Sequence, residues 1–126
     1  MTKSKIISYD FDGVLHKSVS GIHPYDMLDY ESWEPFYEMH NQMRKDSAEA
    51  TIVVVTARTP LHLVKNAVNR FIEMYELPVS EVYYTDNMPK RQLLEDIGAV
   101  KHYDDNPRMA HEMSGSSCEF VLVAPK

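Results

Sequence analysis

Residues 5–14 read KIISYDFDGV, a short apolar run that leads directly into two carboxylates. The apolar part, Lys5 to Tyr9, predicts a β-strand, which places Asp10 and Asp12 at its carboxyl end. Burying two acids there is costly unless a cation or a bound substrate compensates their charge. The pair is therefore the first candidate for a functional site.

Downstream of this strand, β-rich runs alternate with longer helical patterns. Apolar positions recur at helical spacing in the helical patterns, and β-branched residues dominate the run at 51–55. The predicted strands are 5–9, 51–55, 81–84, 100–103 and 120–123, and the predicted helices are 33–44, 59–77, 89–98 and 106–115. This alternation predicts an α/β fold with a Rossmann-like, five-stranded parallel sheet and helices on both faces.

Length and composition narrow the class of protein. The 126 residues suit a single domain, 1–126, and the net charge of −6 argues against a broad surface for polyanions. Cys118 is the only cysteine, which excludes an internal disulfide and fits a reducing compartment. No stretch approaches the roughly 20 apolar residues that cross a bilayer. We expect a cytoplasmic chain with no membrane partner; its oligomeric state is open.

Several polar residues follow the predicted strands directly. Asp10, Thr56, Asp104 and Asp105 all fall at carboxyl ends, where parallel sheets bind their ligands. Carboxylates that meet without a basic partner repel each other, and a divalent cation relieves the repulsion. Since every donor is an oxygen, the pattern predicts Mg²⁺ as the cofactor.

Four motifs in this order resemble the phosphatases of the haloacid dehalogenase superfamily. The first is DFDGV at 10–14, the second is Thr56 after an apolar strand, the third is Lys90 at a helix start, and the fourth is the pair Asp104 and Asp105. The resemblance covers nearly the whole chain. It implies a phosphoric monoester hydrolase.

The resemblance also implies a role for each motif. Asp10 would attack phosphorus and form an aspartyl-phosphate, while Asp12 would first protonate the leaving oxygen and then activate water. Thr56 would hydrogen-bond the phosphoryl oxygens, and Lys90 would neutralise their charge. The implied Mg²⁺ ligands are Asp10, the backbone carbonyl of Asp12, and either Asp104 or Asp105.

Two features of the sequence refine this resemblance. Dehalogenases lack the second aspartate and transport ATPases carry threonine there, so Asp12 favours phosphoester hydrolysis. The short segments from Val14 to Thr56 and from Tyr84 to Lys90 leave no room for a cap domain. Capless members tend to act on macromolecules or to borrow a cover from another subunit. The loop at 15–32 is expected to fold over the site.

A narrower similarity is to the polynucleotide 3′-phosphatases. Arg58 stands two residues after Thr56, and Asp86 stands four residues before Lys90, as in that group. Arg58 would then grip the scissile phosphate and Asp86 would orient Lys90. The arginines that precede this aspartate in the group are absent here, and small deoxynucleotidases share much of the same motif set. His16, just after the first motif, is a further candidate substrate contact.

The sequence thus predicts a Mg²⁺-dependent phosphatase that acts on a nucleic-acid 3′-phosphate or a nucleotide. Two alternatives remain open: a small-metabolite or protein phosphatase of the same fold, and a non-enzymatic domain that binds phosphate or a partner. Single residues also have structural explanations. Thr56 would simply cap the exit of its strand, Arg58 and Asp86 would be solvated surface charges, and Asp105 would complement a helix dipole.

Overall fold

Five parallel strands form one sheet in the computed structural model, which describes residues 5–17 and 28–123. Their order across the sheet is β3-β2-β1-β4-β5. In chain order the elements are β1 (Lys5–Tyr9), α1 (Tyr37–Asp46), β2 (Ala50–Thr56), α2 (His62–Met74), β3 (Glu81–Tyr84), α3 (Arg91–Ile97), β4 (Ala99–Asp104), α4 (Arg108–Glu112) and β5 (Glu119–Leu122). The prediction of an α/β fold with a parallel, Rossmann-like sheet is confirmed.

Strand β2 shows why the sheet is covered on both sides. Ile52 and Val54 pack into one apolar cluster, whereas Val53 and Val55 pack into another. Successive side chains of a strand point to opposite faces, so a strand covered on both faces reads as a continuous apolar run. β2 is such a strand.

The two apolar layers differ in size and in chemistry. The layer that includes residues of α1 and α2 is rich in large rings, among them Phe11, Trp33 and Phe71. The layer that includes residues of α3 and α4 is smaller and contains Leu94 and Met109. Polar side chains of the central strands enter this second layer, and the candidate site lies at its edge.

The predicted helix at 33–44 begins too early, because the residues before Tyr37 pair with the loop that follows β1. Pro35 forms an isolated antiparallel bridge with His16, so the backbone here is extended rather than helical. Ser32, directly before the predicted start, ends a single 3-10 turn, where its hydroxyl donates to a carbonyl three residues earlier.

The other predicted elements are present with shifted ends. Helices α2, α3 and α4 are shorter than predicted, by up to three residues at an end, and the strands differ by one residue at most. Gly98 ends α3 in the left-handed conformation that its position predicts. Of the loop at 15–32 that was expected to cover the site, residues 18–27 lie outside the described residues.

Candidate active site

A cavity of about 710 Å³ lies where the central strands end. It is bounded by the loops after β1, β2 and β4 and by the start of α3. The residues that line it are Asp10, Asp12, Ala57, Arg58, Thr59, Asn87, Met88, Pro89, Lys90, Asp104, Asp105, Asn106, Met109 and Glu112. The structure therefore brings together the predicted residues of the first, third and fourth motifs.

Lys90 joins two of the buried carboxylates. Its Nζ lies 2.9 Å from Asp10 Oδ1 and 2.8 Å from Asp104 Oδ2. Burial lowers the pKa of Lys90, but the charges of the two aspartates outweigh burial and raise it. Burial raises the pKa of Asp10 well above its ordinary value, and the nearby ammonium offsets this only in part. Asp10 and Asp104 thus have a basic partner, the ammonium of Lys90.

Asp104 is held at both carboxylate oxygens. Oδ2 accepts hydrogen bonds from Lys90 Nζ and, at 2.8 Å, from His102 Nε2, while Oδ1 accepts one from the backbone N–H of Asn106 at 3.0 Å. Burial alone would raise the pKa of Asp104. The hydrogen bond from His102 and the charge of Lys90 outweigh burial and hold the pKa below its ordinary value.

Asp105 reaches the site because the loop after β1 contains a glycine. Gly13 has φ +81°, and a Cβ on it would collide with the carboxylate of Asp105. Burial and the charge of Asp104 raise the pKa of Asp105. One carboxylate oxygen from each of Asp10, Asp104 and Asp105 lies within 4.8 Å of the other two. This group can hold a metal ion, and it includes both aspartates of the fourth motif.

The carboxylate of Asp12 has different partners from those of Asp10 and Asp104. Arg58 donates to it through Nε and one terminal nitrogen, at 2.9 and 2.7 Å, and His16 donates through Nε2 at 2.8 Å. Burial would raise the pKa of Asp12, but these hydrogen bonds and the charge of Arg58 outweigh it and lower the pKa. In this structure Asp12 is an ionised carboxylate that is paired with a guanidinium.

Aromatic rings support the partners of Asp12. The guanidinium carbon of Arg58 lies 4.7 Å from the ring centre of Trp33, and the ring of His16 stacks on the same tryptophan at 5.1 Å. Arg58 and His16 are both buried. Neither is a solvated surface group, and His16 meets Asp12 rather than lining the cavity.

Two predicted site residues make different contacts from those expected. Thr56 is fully buried, does not line the cavity, and accepts the backbone N–H of Arg58 at 3.2 Å, so it caps the exit of β2. The prediction that Asp86 orients Lys90 is wrong. Asp86 is exposed, and its carboxylate accepts the hydroxyl of Thr59 at 2.7 Å.

The sequence did not lead us to predict the buried pair Ser8 and His102, because among the histidines only His16 was singled out as a candidate. Ser8 precedes Asp10 by two residues and His102 precedes Asp104 by two, so each faces the same side as its aspartate. That spacing was the available signal. Met88, Met109 and Glu112, which line the cavity, carried no comparable signal.

None of the protein-family models and none of the curated proteins matches this sequence. Among solved structures, it is similar to a chain in the structure of the Pnkp1/Rnl/Hen1 RNA repair complex, with 12% identity and a TM-score of 0.74 over 94% of this chain and 42% of that one. A structure of the Pnkp1/Rnl/Hen1 complex gives 12% identity and a TM-score of 0.72, over 94% of this chain and 45% of that one.

At this identity the likeness shows the fold alone. The chain spans less than half the length of the chains it matches. Within residues 5–17 and 28–123, each helix is too short or too polar to cross a bilayer.

Proposed function

We propose that this chain is a Mg²⁺-dependent phosphomonoester hydrolase of the haloacid dehalogenase type, acting as a single domain of residues 1–126. One observation carries the proposal. Aspartates from the first motif, a lysine from the third and aspartates from the fourth, distant in sequence, line one cavity at the strand ends. This is where parallel α/β sheets bind their ligands.

The donor set fits the proposed metal. Asp10, Asp104 and Asp105 would hold Mg²⁺ together with the backbone carbonyl of Asp12, and oxygen donors suit this hard cation. Three carboxylates share one ammonium, that of Lys90, so a divalent cation would balance the remaining charge. When bound, Mg²⁺ would shield the negative charge of the phosphoryl oxygens.

Asp10 is the proposed nucleophile. Its carboxylate oxygen would form a bond to phosphorus as the bond from phosphorus to the leaving oxygen breaks, and water would then hydrolyse the aspartyl-phosphate. Its Oδ1 lies 2.9 Å from Lys90 Nζ, and this ammonium opposes the rise in pKa that burial causes. The proposed Mg²⁺ would further favour the ionised form that must attack.

Asp12 is the proposed proton donor and acceptor, and this role requires a change at Arg58. A carboxylate that is ionised and paired has no proton to give. We infer that the bound phosphate draws the guanidinium of Arg58 away from Asp12, since guanidinium binds phosphate in the same two-pronged way. The released Asp12 then takes up a proton, delivers it to the leaving oxygen and recovers one from water.

The leading substrate is a nucleic-acid 3′-phosphate. The matched solved structures come from an RNA repair complex, which supports such a substrate without specifying it. A nucleotide is the second candidate, and the charge of the cavity favours it. Among the described residues that line the cavity, the two cations, Arg58 and Lys90, already contact carboxylates, and Glu112 adds another negative charge. A long polyanion would find little attraction there.

Turnover of a substrate panel tests the proposal. The panel contains an aryl phosphate, a nucleoside monophosphate, a 3′-phosphorylated oligonucleotide, a small sugar phosphate and a phosphopeptide, each with Mg²⁺ or with EDTA. We expect Mg²⁺-dependent release of phosphate that falls by roughly 10⁴-fold or more in Asp10→Asn, as for other removed nucleophiles. If no substrate in the panel is hydrolysed, the enzymatic proposal is wrong.

Salt dependence separates the two substrate candidates. Contacts with several backbone phosphates make affinity fall steeply as salt rises, whereas a single terminal phosphate gives a shallow dependence. A steep fall of kcat/KM for the oligonucleotide between 50 and 200 mM salt would favour a nucleic-acid end, on the roughly tenfold or larger scale typical of multiple phosphate contacts. A flat profile, with faster turnover of the mononucleotide, would favour the nucleotide.

A further inference from the structure

Directly beneath the proposed metal ligands lies a buried polar pair that the proposed chemistry does not use. Ser8 on β1 and His102 on β4 are register partners, and each is fully buried. Ser8 Oγ lies 2.8 Å from His102 Nδ1, and His102 Nε2 lies 2.8 Å from Asp104 Oδ2. The contacts run in a line from Ser8 through His102 to Asp104.

The direction of each hydrogen bond in this line follows from the chemistry of the groups. The ionised carboxylate of Asp104 only accepts, so His102 Nε2 must carry the hydrogen. An imidazole that carries its single hydrogen on Nε2 accepts at Nδ1, and Nδ1 lies 2.8 Å from the hydroxyl oxygen of Ser8. The hydroxyl of Ser8 then donates to Nδ1. Ser8 thereby selects the tautomer that allows His102 to hold Asp104.

The geometry leaves Asp104 little freedom. His102 and Lys90 both donate to Oδ2, and the N–H of Asn106 donates to Oδ1. Lys90 extends from outside the sheet, whereas His102 is part of the sheet itself. A ligand that is fixed before the metal arrives loses less conformational entropy when it binds, so such supporting contacts raise affinity.

A purely structural role does not require this pair. Elsewhere in the same layer the strands carry apolar residues such as Val53, Val55 and Ala99. Polar side chains in such surroundings are unfavourable unless they are paired. Here the pair is completed only by Asp104, which ties it to the site.

We propose that His102 and Ser8 are positioning residues that fix the carboxylate of Asp104 for cation binding, His102 by direct donation and Ser8 by setting its tautomer. The inference rests on the proposed function, because it takes Asp104 as a metal ligand.

Calorimetric titration of the substrate-free protein with Mg²⁺ tests it. We expect His102→Asn, which lacks a donor at the position of Nε2, to bind Mg²⁺ roughly 10- to 100-fold more weakly than the wild type. His102→Gln places an amide N–H near that position and should recover most of the affinity. Ser8→Ala keeps the imidazole but not its orientation by the hydroxyl, and should give a smaller loss.

His40 provides the matched control. Like His102, it is fully buried and donates through Nε2 within the fold, in this case to the carbonyl of Leu15 at 2.7 Å, in the layer on the opposite side of the sheet. His40→Asn should lower the thermal midpoint, as His102→Asn does, but leave the Mg²⁺ affinity unchanged. Nitrogen NMR of the imidazoles should also show that His102 loses its single Nε2–H tautomer in Ser8→Ala.

The outcomes distinguish this inference from the proposed function. If the wild type and both His102 variants bind Mg²⁺ equally well, the positioning role is wrong and the metal site stands. If the wild type does not bind Mg²⁺, the metal site is wrong and the positioning role fails with it. Should His102→Asn fail to fold, unchanged affinity and an unchanged His102 tautomer in Ser8→Ala would overturn the inference.

Discussion

The two faces of the β1 and β4 strand pair bury polar groups in opposite ways. On one face the rings of Tyr9 and Tyr103 stack at 4.4 Å, and both hydroxyls donate to the carboxylate of Asp46, at 2.6 and 3.0 Å. On the other face Ser8 contacts His102, and His102 contacts Asp104, which belongs to the acidic cluster of Asp10, Asp104 and Asp105 at the strand ends.

The difference is one of charge compensation rather than polarity. On the tyrosine face, neutral hydroxyls surround one carboxylate, and burial together with the charge of Asp46 raises the pKa of Tyr103 to about 12, so its proton stays in place. On the other face, Asp10, Asp104 and Asp105 share the one ammonium of Lys90. Only the second face gathers several carboxylates around one ammonium, an arrangement that a divalent cation would complete, and this is why we propose the chemistry there.

The acidic face is the face of the sheet on which Ser8 and His102 lie, with Asp10, Asp104 and Asp105 at its strand ends. Removing the ammonium of Lys90 from this face should lower the stability of the protein more than any other change we consider. In Lys90→Met, two buried carboxylates lose their partner, and breaking a buried ion pair in this way costs about 3–5 kcal/mol. We expect the free energy of unfolding, measured with urea in EDTA, to fall by that amount. Added Mg²⁺ should restore part of the loss, because it binds only the folded acidic cluster.

Lys65→Met is the control for this substitution. Lys65 is exposed, with its Nζ 5.8 Å from the ring centre of Tyr84, and its removal should change stability by about 0.5 kcal/mol or less. Equal losses in the two variants would show that Lys90 does not compensate buried charge.

A second prediction concerns the contact between two loops at the end of the acidic face. Gly13 and Gly115 have nearly the same φ, +81° and +82°, but only at Gly13 would a Cβ meet another residue, Asp105. Gly115→Ala should cost about 1–2 kcal/mol from the left-handed backbone alone. Gly13→Ala should cost about 1–3 kcal/mol more, because the carboxylate must move.

Urea unfolding measures both losses, and Mg²⁺ titration adds a second readout. Gly13→Ala should also weaken Mg²⁺ binding, since it displaces one proposed ligand, while Gly115→Ala should not. Identical behaviour of the two alanine variants would mean that Asp105 adjusts freely and that its place beside Gly13 is incidental.

The convergence of the acids at the carboxyl ends of the strands could be predicted from sequence, because it depends only on the parallel topology of the sheet. Parallel strands place their carboxyl ends together, so Asp10, Asp104 and Asp105 converge whatever the details of the loops. The continuous apolar run of β2 likewise requires a strand covered on both faces. These inferences use the periodicity of apolar residues and the order of strands and helices along the chain, both of which can be taken directly from the sequence.

Side-chain partners could not be predicted in the same way. Arg58 binds Asp12, and Asp86 accepts a hydrogen bond from Thr59. Both contacts depend on the geometry of the loops, which the spacing of residues in the sequence does not determine. The start of α1 was missed for a related reason. Helical spacing continues through Pro35, but pairing with the loop after β1 overrides it.

The tyrosine face gives the third prediction, which tests the other side of the comparison. Tyr9→Phe and Tyr103→Phe each remove one hydrogen bond to the charged carboxylate of Asp46 and leave the stacked rings in place. We expect a loss of about 1–2 kcal/mol from the free energy of unfolding in each variant. Mg²⁺ affinity and phosphate release should not change. A loss of Mg²⁺ binding in either variant would show that the two faces are coupled through the strands.

The smallest expected effect is the contribution of His40 to the pH dependence of stability. His40 lies in the apolar layer that contains Tyr9 and Tyr103. Burial, aided by the charge of Arg44, lowers the pKa of His40 below its ordinary 6.5. As the pH falls through 6.5, the unfolded chain takes up a proton that the folded protein still refuses, so stability falls with pH. Above that range the imidazole is neutral in both states and contributes no pH dependence.

His40→Gln isolates this contribution from that of His102, whose pKa burial also lowers. The amide keeps a donor for the carbonyl of Leu15 but does not titrate. Urea unfolding between pH 7.5 and 5 should therefore give a shallower decline of stability in the variant than in the wild type. Parallel curves would mean that His40 titrates alike in the folded and unfolded states and that this prediction is wrong.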